Sequence, residues 1–567
     1  MRTRTRLIRT LALAAPVLAL LAGIGDSAVG QLTPSEPEPE RPVAKPERPV
    51  VDIEGTVDLR LLGVNDFHGN LESPGSRRRE KKGVKVPVGG AAVLGSHLDR
   101  AAAQAPGRTI RVHAGDMAGV TPLVSSQFHD EPAVEAMNLM RFDVGTLGNH
   151  EFDEGAGEML RLLRGGRRRD GRELKRDELG RPVNTSQPGY DGVKFPYIAA
   201  NAVNRQGRTL LPPTAIVERA GVKVGFIGVT TDTAPDYLLP RHRAGLRFLD
   251  ISETVNRYVP GLRAQRVRAI VVLAHSGAHE ERGATAARGE IVDEARQMSN
   301  DVDVVVAGHT QTRLNLEVPN RTGSGSKLVV EALSYGTAYD VVDLRVDRRT
   351  GEVVSRRART PTTWSDEVDP EPRLGGLVRR YVRRVAPLAK QVLGRASHAV
   401  TRPDLEPGVR ARGLSAIVAD AQRELAGADV AFVNPGNMRG DLGRGAITYQ
   451  DLFAVAPYEH DVMRMEMRGA DILRLLAQQA TPEPAVWLHV SGMRWTWQGG
   501  QIGNVVMAGG QSLKPGRTYV VAANELLVGT GRFSVLAERG REMRAVGTDL
   551  EALVSHVKRT KGPIDGR

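Results

Sequence analysis

Five short segments of the chain carry side chains that can bind metal ions and move protons. They are "NDFHG" with Asp66 and His68, "AGD" with Asp116, "GNHEFD" with Asn149, His150 and Asp153, "LAHSG" with His275, and "AGHTQ" with His309 and Gln311. Oxygen and imidazole donors without sulfur suit a divalent ion such as zinc, manganese or nickel, and this many donors suit two ions. Singly, each residue has an ordinary reading: Asp66 could open a turn, Asn149 could cap a helix, and a lone histidine is more often structural than liganding. Recurrence in five segments favours a shared site.

The elements that must position these residues are legible around them. Each segment ends a short apolar run rich in branched residues, as in "LRLLGV", "TIRV" and "AIVVLA", which predicts a buried strand. Between them "AAVLGSHLDRAAA" and "EPAVEAMNLM" have helical character. The alternation predicts a layered α/β domain, and in open α/β sheets ligands gather at the carboxyl ends of strands, where all five segments would emerge. Several are preceded by glycine, which leaves room for close approach.

A two-ion site needs a carboxylate that bridges ions about 3.5–4 Å apart, and Asp116, alone in its segment, is the natural bridge. Such a pair lowers the pKa of a water and clamps the attacking oxygen, so a phosphoester can be hydrolysed without a covalent protein nucleophile. His150 is then left off the metals to stabilise the phosphoryl group or protonate the leaving oxygen, with Asp153 holding the ring in its tautomer. A salt-bridged surface pair is the weaker reading of these two. Glu151 has no contact with metal or substrate that the sequence argues for. His113, inside a strand, and His97, inside a helical stretch, read as structural.

At 567 residues the chain is too long for one core, and two large domains are expected. Its 41% hydrophobic and 25% charged content is that of a globular protein. An arginine-rich start, the apolar segment Leu11 to Ile24 and small residues at Ala28 to Gly30 have the layout of a secretory signal peptide, and the segment is shorter than the ~20 residues of a spanning helix. The absence of cysteine excludes disulfides, thiolate ligands, a cysteine nucleophile and an N-terminal lipid anchor on cysteine. Arg2, Arg4, Arg6 and Arg9 against Asp26 give residues 1–30 a charge of +3, so the rest of the chain keeps +9 of the total +12. Much of that charge sits in "SRRREKKGVK" and "RGGRRRDGRELKR", read as solvated surface insertions; no interleaved aromatics make a base-stacking platform, and no specific nucleic-acid partner is expected.

In this order the five segments resemble the calcineurin-like metallophosphoesterase domain, and more narrowly the exported 5′-nucleotidase family, over roughly Val57 to Val346. The resemblance implies a four-layer α/β/β/α domain followed by a smaller α+β substrate-binding domain. It implies two divalent ions, zinc, manganese or similar, one held by Asp66, His68, Asp116 and Gln311 and the other by Asp116, Asn149, His275 and His309, with His150 and Asp153 as the catalytic dyad. The segment "FVNPGNMRGDLGRGAITYQDLFAVAPYEHDVMRMEMRGADI" resembles the family's substrate-binding domain. By position Arg439 matches an arginine on the substrate phosphate, Asn434 a base-contacting asparagine and Tyr458 one aromatic of a base clamp; Arg410 aligns with a further phosphate-binding arginine, although "VRARGLSAIVADA" departs from the usual asparagine-glycine pattern.

A second departure lies at "ANELLVGTGRFSVL". There the second stacking aromatic becomes Glu525 or Leu526, and a ribose-contacting aspartate becomes Gly531 or Arg532, so a flat base loses half of its sandwich. The boundaries expected are a signal peptide over 1–30, a proline-rich linker over 31–56, the metallophosphoesterase domain over 57–360, a linker and connecting helix over 361–392, and the substrate-binding domain over 393–567. The expected activity is hydrolysis of a small phosphate ester of nucleotide type by an exported enzyme without a membrane span once the signal is removed. A UDP-sugar pyrophosphatase, a 2′,3′-cyclic-nucleotide phosphodiesterase and a non-catalytic surface protein holding polyanions are the alternatives.

Overall fold

Along the strand Ala269–His275 every residue is buried, yet the two sets of alternate side chains enter different cores. Ile270, Val272 and Ala274 pack beneath helices, whereas Ala269, Val271 and Leu273 face a second sheet. The strand Thr56–Val64 mirrors it: Val57, Leu59 and Leu61 face inward between the sheets, and Leu62 and Val64 face helices on the other side. Period-two alternation of apolar residues on both faces requires cover on both faces. The computed structural model describes residues 55–79, 83–167, 189–280, 287–402, 413–479, 487–498, 501–529 and 531–565. The expected signal peptide, nearly all of the linker, most of the arginine-rich run after Arg164, and Arg410 lie outside the described residues.

The first domain is therefore two six-stranded sheets face to face with helices outside, a four-layer α/β/β/α sandwich. In one sheet Thr56–Val64, Thr109–Ala114, Val144–Thr146 and Tyr197–Ile198 run parallel, and Asp340–Asp347 and Val353–Arg359 complete the other edge antiparallel. In the other, Val222–Thr230, Ala269–His275, Val304–Val306 and Ser326–Ala332 are parallel. The helices Ala91–Ala103 and Glu131–Leu139 cover the first sheet, and Ile251–Ala264 and Glu290–Gln297 the second.

The helix Pro372–Ala389 starts two residues before Leu374 and is capped by the Glu371 carboxylate, which accepts from Leu374 N. Its Tyr381 is fully buried against Phe128, with ring centroids 4.9 Å apart, so the helix belongs to the core of the first domain while its end leads to the second. The second domain is α+β: a mixed five-stranded sheet in the order His489–Ser491, Val430–Val433, Thr518–Asn524, Asp461–Arg468, Arg541–Thr548, packed by Gly413–Leu425, Gly469–Gln478 and Asp549–Arg559. Among the described residues no helix is long and apolar enough to cross a membrane.

Candidate active site

The five segments leave the carboxyl ends of five parallel strands, three from one sheet and two from the other, and meet at one end of the sandwich. Two groups of donor atoms, each within 4.8 Å of one another, share a carboxylate: Asp66, His68 and Asp116 form one, and Asp116, His275 and His309 the other. Asp116 Oδ2 lies 3.6 Å from His68 Nε2 and 3.0 Å from His275 Nε2. Gln311 Nε2 stands 3.5 Å from His68 Nε2, beside the first group.

The atoms that a metal ion would take are the ones left without partners. Asp66 Oδ1, both polar side-chain atoms of Asn149, His309 Nε2 and Gln311 Oε1 are buried and make no hydrogen bond, and His275 Nε2 meets only the shared Asp116 carboxylate. Buried polar atoms cost about 1–3 kcal/mol each when unsatisfied, so several convergent ones fit a ligand set rather than a structural core. Their opposite atoms are anchored. His68 Nδ1 bonds Gly119 O at 2.8 Å and His275 Nδ1 bonds Ala114 O at 2.9 Å, which leaves each Nε2 aimed into the site.

Backbone strain accompanies this convergence. Asp66, His68, Asp116, His309 and Gln311 all have positive φ, from 46° to 78°, although none is glycine. Left-handed conformations cost a branched or long residue about 1–3 kcal/mol and persist where surroundings over-determine them. Glycine serves here through its small size: a Cβ on Gly148 would stand 2.0 Å from Asp116 Oδ1, and one on Gly115 would stand 2.6 Å from His275 Nδ1.

Three buried groups that sequence reasoning left unassigned hold the loops in place. Glu151 accepts backbone N–H bonds from Asp116, Met117, Ala118 and Gly148 at 3.1, 2.7, 3.3 and 2.5 Å, so the glutamate between His150 and Asp153 clamps two of the five segments together. Burial, and then the Asp116 charge, push its carboxyl up to about 7 against those bonds. Glu331 performs the same service for the last segment, accepting from the Thr310 and Thr312 hydroxyls and Thr312 N. Asn65 bonds Asp66 Oδ2 at 2.8 Å and Leu333 O at 2.6 Å. Glu151 and Asn65 lie inside motifs, which is the only signal that could have marked them; Glu331 sits in an apolar strand, where a glutamate is out of pattern.

His150 lies beside this cluster, its ring 5.2 Å from that of His68 in an edge-on arrangement. Its Nδ1 bonds Asp153 Oδ2 at 2.8 Å, and its side chain keeps 19% exposure, enough for Nε2 to meet a substrate. Burial opposes its charge, but Asp153 and Asp116 outweigh burial and push the imidazole up to about 9. With the carboxylates uncompensated, His275 is likewise pushed up to about 10 despite burial, chiefly by Asp116, whereas burial and the His275 charge push His309 down to about 4.

The second domain closes this site from above. Arg439 is buried, faces the phenols of Tyr458 and, in the first domain, Tyr335, and its charge reaches His150. Tyr458 feels the charges of Arg439, Asp153 and Asp116, which places it at the same crevice. Asn434 turns inward: its Oδ1 accepts from Gly436 N at 3.0 Å and caps its own short turn. His97 and His113 stay outside the donor groups, the first bonding Trp364 O and the second accepting from Gly115 N.

Comparison with known proteins agrees with this geometry. Residues 59–313 match the calcineurin-like phosphoesterase family and residues 392–538 the 5′-nucleotidase C-terminal domain. The chain is 33% identical over 517 residues to "Endonuclease YhcR" of Bacillus subtilis, covering 90% of this chain and 40% of that protein. It is also 33% identical over 550 residues to "Cell wall protein Lmo0130" of Listeria monocytogenes, covering 89% of this chain and 68% of that one. The crystal structure of a 5′-nucleotidase precursor from Thermus thermophilus superposes with a TM-score of 0.70 at 25% identity, over 90% of this chain and 99% of that one. The chain belongs to the 5′-nucleotidase family of metallophosphoesterases, metal-dependent hydrolases of phosphoric esters built from a calcineurin-like domain and a 5′-nucleotidase C-terminal domain.

Proposed function

We propose that the protein is an exported two-metal phosphoesterase that hydrolyses nucleotide or nucleotide-like phosphate esters. The observation that carries this is the set of orphaned donor atoms around Asp116, set between the His150–Asp153 pair and Arg439. Asp66, His68, Asp116 and Gln311 would hold one ion, and Asp116, Asn149, His275 and His309 the other. When bound, a pair of divalent ions supplies Lewis acidity and a nucleophilic water at neutral pH.

The chain's own groups do the rest. Arg439, brought over the site by the second domain, orients the phosphoryl group through its planar fork of donors. Asp153 fixes the imidazole of His150, so that Nε2 carries the proton given to the leaving oxygen. Glu151, Glu331 and Asn65 keep the strand ends from relaxing, which preserves the geometry between attack and departure. Export rests on the layout of residues 1–30 and on the likeness to a protein called a cell wall protein.

Hydrolysis of AMP, UDP-glucose, 2′,3′-cyclic AMP and bis-p-nitrophenyl phosphate, with manganese, zinc or chelator, tests the reading beside His150→Ala. Chelator-sensitive turnover that drops by about 10²–10⁴ in the variant is expected. A metal-loaded wild type no faster than the variant on every substrate would refute it.

A further inference from the structure

The short helix Pro240–Arg243 stands between the dyad and the second domain. On one side His242 lies against the backbone of Asp153, and its ring would be 3.5 Å from a Cβ on Gly155. On the other, Arg241 forms a two-pronged ion pair with Glu525: Nη2 meets Oε1 at 3.0 Å and Nη1 meets Oε2. Arg243 Nη2 donates to Gly529 O at 3.3 Å, and a Cβ on Gly529 would strike the Pro240 ring at 2.6 Å. The whole helix Glu525–Gly529 of the second domain is thereby seated on the first.

Glu525 is one of the two residues, with Leu526, that stand where a second stacking aromatic would be expected. Its carboxylate is only 12% exposed and is further fixed by Asp461 N at 3.1 Å, at the start of the strand that follows Tyr458 and His460. The other stacking surface is also engaged. His460 lies parallel to Tyr458, with centroids 5.1 Å apart and planes 21° apart, and its Nδ1 accepts from Asn437 Nδ2 at 3.1 Å. Burial and the nearby Arg241 and His242 keep this imidazole neutral. A planar ligand is gripped by aromatic faces that are open to it. Here one face of the tyrosine is covered by His460, and the residue beside this strand, Glu525, is held in an ion pair.

We propose that Arg241 and Glu525 are specificity-determining residues: their ion pair fastens the second domain over the dyad and replaces an aromatic platform, so the enzyme selects substrates by the phosphoryl group and a polar leaving group rather than by a stacked base. The proposal rests on the crevice being a phosphoesterase site. Arg241 and Glu525 touch neither reacting atom; they act by holding the domains and by lining the leaving-group side with charge.

Two measurements on the metal-loaded full chain test it. AMP and ribose 5-phosphate share the phosphoryl-sugar portion, and only AMP has a base; their KM values are expected within about threefold of each other in the wild type, and Glu525→Phe lowers the AMP value alone. A wild-type preference for AMP larger than threefold in KM, or an unchanged AMP value in Glu525→Phe, overturns base-independent selection. Small-angle X-ray scattering reads the fastening without turnover: Glu525→Arg expands the molecule, and the exchange Arg241→Glu with Glu525→Arg restores the wild-type profile. Identical profiles for wild type and Glu525→Arg, or an expanded exchange variant, overturn the latch. Failure of the wild type to hydrolyse either ester refutes the phosphoesterase reading instead, and the scattering result still decides the ion pair.

Discussion

The guanidinium of Arg439, in the second domain, and the phenol of Tyr335, in the first, face each other closely enough for the charge of one to act on the other. Tyr335 is held from below, since its N donates to Asp66 O at 2.7 Å, and both it and Leu333 have positive φ, 58° and 56°. The strain places the phenol over the donor cluster, 5.8 Å from the His68 ring. Arg439 has its Nε without a partner, and its charge lies between the phenols of Tyr458 and Tyr335.

From this relationship, Tyr335→Phe is expected to raise KM for a phosphate monoester about tenfold with little change in kcat, because the hydroxyl dipole facing the buried guanidinium is lost and orientation of Arg439 serves binding first. Steady-state kinetics check it. A variant that loses kcat at constant KM would place Tyr335 in the chemical step instead.

As the proposed acid, His150 is expected to set the alkaline side of the pH profile. Its pKa is raised, so the protonated, acid form persists below about 9 and is lost as pH rises through that value. Metal ions engage the Asp116 charge and remove that share of the shift, which leaves Asp153 as the main support and puts the alkaline limb of the loaded enzyme between the ordinary histidine range and 9. Asp153→Asn should move the limb of kcat/KM to lower pH by about a unit or more. An unmoved limb would show that another group supplies the proton.

The strands and donors were legible because both follow local rules. Alternation in "AIVVLAH" and "LRLLGV" requires two covered faces, and polar residues after such runs mark strand ends. That the strands form two sheets came from the family resemblance alone, since periodicity carries no information about which strand pairs with which. The left-handed backbone at Asp66, His68, Asp116, His309 and Gln311 was not legible, since residue type argues against such angles and only the assembled site imposes them. Glu151 shows no role in the sequence because its role is set by four N–H groups, three of them from Asp116, Met117 and Ala118, which only folding brings near. Glu525 shows the converse: the departure from an aromatic was visible in the chain, but its partner Arg241 lies 284 residues away.

The sharing of Asp116 between the two donor groups makes the number of ions measurable by mutation. Asn149→Ala removes the donor proposed to join Asp116, His275 and His309, so one ion should remain tightly bound while the affinity of the second falls by at least about tenfold. Asp116→Ala should weaken both. Metal content after gel filtration, with competition against a chromogenic chelator, reads both outcomes; equal loss of two ions in Asn149→Ala would show a single cooperative site in place of two sharing a bridge.

Glu151 offers a test of loop geometry apart from chemistry. Glu151→Gln keeps the size of the side chain but turns an amide N–H₂ toward backbone donors, so at least one of the four N–H groups loses its acceptor, at a cost of about 1–3 kcal/mol. The bonds it loosens belong to Asp116 and to Gly148, which precedes Asn149, so the damage should appear first as metal affinity reduced about 10–100-fold, with kcat recovered at saturating metal. Metal-dependent activity curves and thermal unfolding of the metal-free chain check both parts. A variant with wild-type metal affinity and a kcat that saturating metal does not restore would move Glu151 from positioning the loops to acting on the substrate.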